Sequence, residues 1–246
     1  MAEVNRRQIP LVLLTSRTRA EIEPLRRELE HRHPFVTESG GGVFIPDGYF
    51  NLRIPGAQRC GRYLCVALGK SYREVAAALD EIAQESGIGV AGFHHMTARE
   101  VAQNTRMRPR DAELARSREF DEPFFFTSGD ERAIARFVAV AGRRGFQARR
   151  GTTFWRFSSG CDTARAVQLL TGLFRQNAHI KLRTVGIGAA AEDLHWLHVV
   201  DEAVLLPRGG EKPNAAAAPD SQRISVGEVS GPAGWNSSVL GIIGES

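Results

Sequence analysis

Patterns typical of buried strands alternate along this chain with patterns typical of amphipathic helices, and this alternation constrains the fold more than any other feature. The apolar run Pro10–Leu14 has the composition of a strand that is covered on both faces. It precedes Thr18-Arg-Ala-Glu21, which has the pattern of a helix capping box. Strand and helix patterns alternate again after residue 160. This order of elements predicts an α/β fold with a largely parallel sheet.

The middle of the chain departs from this alternation. A strand pattern at Tyr63–Leu68 is followed by a helical pattern over Glu74–Ser86, which Gly87 closes. A further strand pattern covers Glu122–Thr127, and a hairpin pattern covers Phe146–Phe157. We therefore expect a compact α+β domain inserted into the parallel α/β fold.

Composition and charge exclude several classes of protein. The chain has 246 residues, 42% of them hydrophobic, and no apolar run approaches the roughly 18 residues that a transmembrane helix needs. The N-terminal residues lack the apolar run of a secretory signal, and three cysteines without CxxC spacing suit a reducing compartment. The net charge is +4, but the basic residues are spread out and lack interleaved aromatic residues. We expect a cytoplasmic protein that binds neither membranes nor nucleic acids.

Two short segments lie where α/β folds usually bind ligands. Thr15-Ser16-Arg17 follows the first strand pattern and precedes the capped helix, so free N–H groups and the helix dipole favour an anion there. The alternative is a turn whose hydroxyl groups bond only to the backbone. The glycine-rich run 38–42 follows the next strand pattern, and its glycines allow close approach of a ligand.

The histidines do not have the spacing of a metal site. His94 and His95 are adjacent, and adjacent residues of one segment generally point apart, so we expect no metal there. His195 and His198 share one helical face, but the apolar residues between them favour packing or a solvated surface.

Five segments match one known family in the same order. They are Leu14-Thr-Ser-Arg-Thr-Arg-Ala-Glu-Ile22, Glu38-Ser-Gly-Gly-Gly-Val-Phe-Ile-Pro46, Arg118-Glu-Phe-Asp-Glu-Pro-Phe124, Gly160-Cys-Asp-Thr-Ala-Arg-Ala-Val167 and Gly231-Pro-Ala-Gly-Trp-Asn236. In these segments the chain resembles the mannosyl-3-phosphoglycerate phosphatases, a family of the haloacid dehalogenase (HAD-like) superfamily. The resemblance extends from residue 1 to about residue 243.

The resemblance implies a Rossmann-like α/β core with an inserted α+β cap. Residues 1–58 and 161–208 would form the core, residues 59–160 the cap, and residues 209–246 a loop and a C-terminal docking segment. It also implies Mg2+-dependent hydrolysis of mannosyl-3-phosphoglycerate to mannosylglycerate and phosphate through an aspartyl-phosphate. The partner of such a protein is a phosphorylated sugar acid.

The resemblance also implies a set of site residues. Thr15 matches the hydroxyl that holds phosphate in the family. Arg118 matches an arginine suited to a glycerate carboxylate, and a solvated arginine at a helix end is the alternative. The substrate-binding residues implied in this way are Thr15, Ser16, Arg17, Ser39, Gly40 and Arg118.

The chain departs from the family at the groups that perform the chemistry. No Asp-x-Asp strand precedes Pro10–Leu14, and Thr163 occupies the place of the family's lysine. The family's metal loop, Gly-Asp-Ser-x-Asn-Asp, reads Gly-Ala-Ala-Ala-Glu-Asp over residues 188–193. Asp193 is the one acid left in register: either a weak residual metal ligand or an acid that complements a helix dipole.

These departures predict an impaired or inactive phosphatase. There are two alternatives. One is a pseudophosphatase that binds a phosphorylated sugar acid, and the other is a truncated product of a longer enzyme gene. In the superfamily the nucleophile strand lies between the strands that correspond to Pro10–Leu14 and Lys181–Ile187. We expect these two strands to pair partly with each other in this chain. The Gly/Pro/Ala-rich stretch from Gly209 to Pro219 predicts a mobile loop.

Overall fold

The structure, a computed structural model, describes residues 2–151, 153–178, 181–208 and 224–244. The chain divides into two compact units. The central unit comprises Leu11–Tyr49 and Pro55–Asp162, and the terminal unit comprises Met1–Pro10, Phe50–Ile54 and Thr163–Ser246. The expected domain limits at residues 58, 160 and 208 differ from these bounds and stay a prediction.

Twelve strands and nine α-helices lie within the described residues. The strands are β1 (Leu13–Leu14), β2 (Phe35–Thr37), β3 (Gly42–Pro46), β4 (Gln58–Cys60), β5 (Tyr63–Ala67), β6 (Val90–Gly92), β7 (Asp121–Phe126), β8 (Gln147–Arg150), β9 (Trp155–Ser158), β10 (Val185–Gly188), β11 (Glu202–Leu205) and β12 (Ile224–Val226). The helices are α1 (Ala2–Arg6), α2 (Arg19–Glu28), α3 (Tyr72–Ser86), α4 (Ala98–Thr105), α5 (Pro109–Arg116), α6 (Glu131–Arg143), α7 (Thr163–Ala178), α8 (Leu194–Leu197) and α9 (Gly231–Gly244).

The first sheet of the central unit has the strand order β1-β2-β3-β5-β4. Only β1 and β2 are parallel, whereas the other neighbouring strands are antiparallel. The expected parallel pairing is found between β1 and β2, whereas β3 runs antiparallel to β2 and the sheet continues antiparallel through β5 and β4. The reason is the short turn Glu38–Gly40, which connects β2 directly to β3. A connection of this length joins antiparallel strands, because parallel neighbours require a long crossover.

The second sheet of the central unit has the order β6-β7-β9-β8 and is antiparallel throughout. Helices α3 and α6 cover it, and buried apolar side chains from both helices and the sheet form one core. The largest fully buried members of that core are Leu79, Ile82, Phe124, Phe137 and Phe157. These elements form the α+β arrangement that the sequence predicts for the middle of the chain.

The terminal unit contains a parallel sheet with the order β10-β11-β12. Helices α7 and α8 contact each other, and α8 contributes the buried side chains of Trp196 and Leu197. Phe50 returns to this unit and packs edge-on against Phe174, with ring centroids 5.0 Å apart. The parallel pattern expected after residue 160 is confirmed here.

The predicted pairing of Pro10–Leu14 with Lys181–Ile187 is wrong for the strands that form there. Among the described residues β1 pairs with β2 and β10 with β11, and the two pairs belong to separate sheets. Ladder bonds satisfy one side of each strand in this way, and β12 pairs with β11. Within the described part of the chain, β1 and β10 are therefore edge strands.

Local capping signals position the helices that flank the candidate site. The Thr18 hydroxyl accepts the Glu21 N–H at 3.0 Å, and the Glu21 carboxylate accepts the Thr18 N–H at 2.9 Å. Gly87 ends α3 with a φ of 63°, a left-handed conformation that favours glycine.

Among the described helices none has the length and apolar character to cross a membrane, and the cellular compartment stays a prediction. The predicted loop from Gly209 to Pro219 lies outside the described residues.

Candidate functional site

Two loops of the central unit, residues 15–17 and 38–40, are joined by backbone hydrogen bonds. The Ser39 N–H donates to the Thr15 carbonyl at 3.0 Å, and the Glu38 N–H donates to the Arg17 carbonyl at 3.1 Å. The Thr15 hydroxyl accepts the Arg17 N–H at 3.1 Å. This last bond to the backbone is the kind of bond expected if Thr15 only stabilises the turn. The Thr15 hydroxyl nevertheless keeps its proton, which it can donate to a ligand. The two loops bring together the predicted residues Thr15, Ser16, Arg17, Ser39 and Gly40.

The 38–40 loop holds an unusual backbone conformation. Glu38, Ser39 and Gly40 have φ values of 50°, 53° and 93°, and a left-handed non-glycine residue costs about 1–3 kcal/mol. The buried Glu38 carboxylate compensates by accepting the backbone N–H groups of residues 119, 120 and 121 at 3.0, 2.7 and 2.9 Å. These bonds fix the turn, and with it the direction of the Ser39 side chain.

Arg118 lies beneath the two loops, and its side chain is only 4% exposed. Its Nε donates to the Asp121 carboxylate at 2.8 Å, and its Nη2 donates to the Ser16 carbonyl at 3.2 Å. The Glu38 carboxylate lies 3.7 Å away. Arg118 therefore supports the 15–17 loop directly. A glycerate carboxylate would compete with Asp121 for this guanidinium, and the role of Arg118 in substrate binding stays a prediction.

This region contains two further arginines, Arg17 within the 15–17 loop and Arg156 on β9. Arg17 is exposed at the surface. The Arg156 Nη1 donates to the Ser39 hydroxyl at 2.8 Å. Arg156 lies on β9 between Trp155 and Phe157 and is not among the site residues predicted from the sequence, because only the fold brings it to a residue 117 positions away. Its alternation with two aromatic residues was the available signal, since it places Arg156 on the opposite face of the strand.

The 188–193 loop of the terminal unit is organised by Asp193. Its Oδ2 accepts the N–H groups of Ala189 and Ala190 at 2.8 and 2.9 Å, and its Oδ1 accepts the indole N–H of Trp196 at 3.0 Å. Asp193 therefore closes its own loop. Thr163, the first residue of α7, supplies a hydroxyl where the family's lysine would supply an ammonium group.

These residues do not fit the Mg2+ ion that the resemblance implies. Mg2+ requires a near-octahedral set of oxygen ligands. The alanine side chains of residues 189–191 offer none, and both oxygens of Asp193 already accept hydrogen bonds. Asp193 as a residual metal ligand stays a prediction, and we derive no step through Mg2+.

Two of the three cysteine thiols, those of Cys65 and Cys161, are not candidate nucleophiles. Burial raises the pKa of Cys65 and of Cys161 to about 12. Both thiols therefore remain protonated at neutral pH, and the protonated form is not the nucleophile.

The expectation that His94 and His95 point apart is wrong. Both lie in the one-turn 3-10 helix Phe93–His95, and their ring centroids are 3.8 Å apart. The His94 Nε2 lies 3.1 Å from one oxygen of Asp80, and the His95 Nε2 lies 3.2 Å from the other. The tight turn brings together rings that an extended segment would separate. Within the described residues, these three form the one group with the spacing of a metal site.

Comparisons with known proteins agree over nearly the whole chain. No family model matches it. It is 33% identical over 242 residues to the glucosyl-3-phosphoglycerate/mannosyl-3-phosphoglycerate phosphatase of Methanococcoides burtonii, covering 98% of this chain and 87% of the relative. It is 34% identical to the protein of the same description from Persephonella marina, covering 100% and 88%. It is 30% identical to a mannosyl-3-phosphoglycerate phosphatase of Pyrococcus furiosus, covering 83% and 80%.

Solved structures give the same fold at lower identity. A phosphatase of the haloalkanoate enzyme superfamily from Bacteroides thetaiotaomicron aligns with a TM-score of 0.59 at 15% identity, covering 99% of this chain and 85% of that one. A protein from Thermoplasma acidophilum aligns with a TM-score of 0.60 at 16% identity, covering 97% and 84%. The predicted fold, a HAD-like α/β core with an inserted cap, is confirmed.

Proposed function

Because the chain belongs to the mannosyl-3-phosphoglycerate phosphatase family, we propose that it binds a glycosyl-3-phosphoglycerate and hydrolyses it weakly or not at all. The observation that carries this proposal is a contrast between the residues suited to binding phosphate and the residues that would perform phosphoryl transfer. The two loops suited to holding phosphate are present and joined by backbone hydrogen bonds, whereas alanines and a threonine stand where the resemblance implies the groups that compensate charge during phosphoryl transfer.

The central unit supports binding of the phosphate. Thr15 offers a hydroxyl donor, and the 15–17 loop precedes the N-terminus of the ten-residue helix α2, where the dipole favours an anion. Arg17 and Arg156 supply guanidinium groups, which pair with phosphate or carboxylate through two parallel hydrogen bonds. A ligand with one phosphate and one carboxylate suits two such cations.

The terminal unit supports the loss of turnover. Phosphoryl transfer depends on charge compensation and positioning. Thr163 is uncharged, Ala189 has no oxygen, and Asp193 is engaged by its own loop. Catalytic groups of this kind act as a unit, so the remainder does not keep a proportional share of the rate.

An active phosphatase is the second candidate, and the family identity of 33–34% over nearly the whole chain favours it. The two candidates share the ligand and differ in turnover. Binding and phosphate release must therefore be measured separately.

Binding is tested by calorimetric titration with mannosyl-3-phosphoglycerate and, as a ligand without phosphate, mannosylglycerate. We expect Arg17→Ala and Arg156→Ala each to weaken binding of the phosphorylated ligand by roughly 10–100-fold, because each removes a charge-assisted hydrogen bond worth about 1.5–3 kcal/mol.

The matched control is Arg144→Ala, which removes an arginine paired with Glu81 and Glu85 at the surface. We expect this variant to bind like the wild type. Equal losses of affinity in all three variants would show that the protein attracts the ligand only through nonspecific charge. If mannosylglycerate bound as tightly as the phosphorylated ligand, the result would contradict phosphate recognition.

A further inference from the structure

We propose that Asp80, His94 and His95 form a binding site for a transition-metal ion of the Zn2+ class. Asp80 lies on α3, whereas both histidines lie in the turn Phe93–His95 that follows β6. One ligand atom from each residue lies within 4.8 Å of the others. Two imidazole nitrogens and a carboxylate oxygen are ligands that Zn2+, Co2+ and Ni2+ accept readily, whereas Mg2+ prefers oxygen alone.

The spacing already approaches that of a loaded site. Zn2+ bonds of about 2.0–2.1 Å in tetrahedral geometry place ligand atoms about 3.3 Å apart. The carboxylate oxygens of Asp80 lie 3.1 Å from the His94 Nε2 and 3.2 Å from the His95 Nε2. All three ligand atoms lie within 4.8 Å of one another, so rotation of the exposed side chains of Asp80 and His95 brings them around one ion. Three protein ligands leave the fourth position to water, and the exposure of Asp80 and His95 gives water access.

A buried carboxylate orients the strongest ligand. Glu122, which is inaccessible to solvent, accepts the backbone N–H of His94 at 3.0 Å and lies 2.8 Å from its Nδ1. In the tautomer that donates Nδ1–H to Glu122, the Nε2 lone pair of His94 faces the Asp80 carboxylate. The His94 Nε2 and a carboxylate oxygen of Asp80 lie 3.1 Å apart, and each carries a lone pair. Such a contact requires a cation between the two atoms, which is either a proton or a metal ion. A carboxylate behind a ligating histidine is a recurrent support of metal sites.

His95 is the weaker ligand. Its Nδ1 accepts the Gly92 N–H at 3.2 Å, so the neutral ring carries its proton on Nε2. Metal binding at Nε2 moves that proton to Nδ1 and ends the bond with Gly92. The ring is 42% exposed and can turn to allow this exchange. We therefore expect His94 to contribute more to affinity than His95.

The ion would join three elements of the central unit: α3, the turn that carries both histidines, and β7 through Glu122. A ligand that binds only the folded state stabilises that state by mass action. We expect saturating Zn2+ to raise the Tm of the protein. This inference does not depend on the phosphate site.

The test is a titration of tag-free protein with Co2+ and then Zn2+ at about pH 8, where free imidazole is neutral. We expect one bound Co2+, seen by its visible absorption bands, and displacement of those bands by Zn2+. Asp80→Asn and His94→Gln should abolish binding. Glu122→Gln should weaken it by roughly 10–100-fold, as loss of a supporting carboxylate does at known sites.

The control is His198→Ala, which removes an exposed histidine of the terminal unit and should leave binding unchanged. No saturable Co2+ binding by the wild type would overturn the proposal. The same stoichiometry and affinity in Asp80→Asn would also overturn it. Asp80 and His95 are exposed, so Asp80→Asn and His95→Gln test the site even if the His94 variant fails to fold. A Tm increase with Zn2+ in the wild type, absent in Asp80→Asn, ties the ion to this cluster.

Discussion

Asp193 shows how a single residue can be in register with a metal loop and serve another purpose. Its position just before a short helix allowed the sequence to predict either a metal ligand or an acid near a helix N-terminus. The sequence could not predict its bond to the Trp196 indole, because that bond depends on how α8 folds back over the loop. The three alanines before it carry no competing polar group, so the backbone N–H groups of the loop are left to Asp193.

Asp193→Ala should lower the free energy of unfolding by about 1–3 kcal/mol, because it removes the acceptor for two backbone N–H groups and one indole N–H. Urea denaturation provides the measurement. Glu192→Ala, an exposed neighbour, is the control and should stay within about 0.5 kcal/mol of the wild type. Equal effects of the two substitutions would show that the loop does not need Asp193.

His31 makes the stability depend on pH. It is 7% exposed, its Nδ1 accepts the Arg26 Nε–H at 3.1 Å, and its Nε2 donates to the Leu11 carbonyl at 2.6 Å. Burial lowers the pKa of His31 from 6.5 to about 4, and the charge of Arg26 and the neighbouring His33 act in the same direction. Between these two pH values the unfolded chain binds the extra proton, so His31 destabilises the fold as the pH falls from about 6.5 to about 4.

We expect this loss to reach about 1–3 kcal/mol. In His31→Gln the loss between pH 7 and pH 5 should be smaller than in the wild type, although the variant is less stable at pH 7. The measurement is urea denaturation at both pH values. His198→Ala, which removes an exposed histidine, should keep the wild-type difference. An unchanged pH dependence in His31→Gln would assign the effect to other groups.

At the scale of elements, local sequence signals predict where helices begin and end, but they do not predict the direction in which neighbouring strands run. The capping boxes at Thr18 and Thr97 and the left-handed Gly87 form as their residue types predict. The antiparallel direction of β3 does not follow from the local sequence, because it depends on the conformation of residues 38–40, which Glu38 fixes through bonds to residues 119–121. A partner more than 80 positions away is not readable from a local pattern.

Arg118 contacts both Glu38 and Asp121, so its removal should lower the free energy of unfolding. Arg118→Ala leaves Asp121 and Glu38 as buried carboxylates without their cation and removes the donor to the Ser16 carbonyl. We expect a loss of about 3–5 kcal/mol in the free energy of unfolding. Arg144→Ala, which breaks only surface pairs, should cost no more than about 1 kcal/mol. Urea denaturation of both variants provides the measurement. The structure already excludes the solvated arginine at a helix end, because the Arg118 side chain is buried, and a loss no larger than that of the control would contradict its supporting role.

At the scale of the whole molecule, the five matched segments predicted the fold and the family correctly. The same segments could not reveal Arg156 beside Ser39 or Asp80 beside His94, because each pair meets only through the packing of separate elements. The departures from the family were visible in the sequence at Thr163 and over residues 189–191. Their effect on turnover stays a prediction, since it concerns a rate.

Phosphate release tests the central claim most directly. The 246-residue chain is incubated with mannosyl-3-phosphoglycerate, with and without Mg2+, beside the Methanococcoides burtonii relative as the active reference and a heat-inactivated sample as the blank. We expect no Mg2+-dependent release from this chain above the blank. Ala189→Asp alone should release none either, because Thr163 still supplies no ammonium group. Mg2+-dependent release by the unaltered chain at a rate close to that of the Methanococcoides burtonii relative would contradict the account and identify the protein as a working phosphatase.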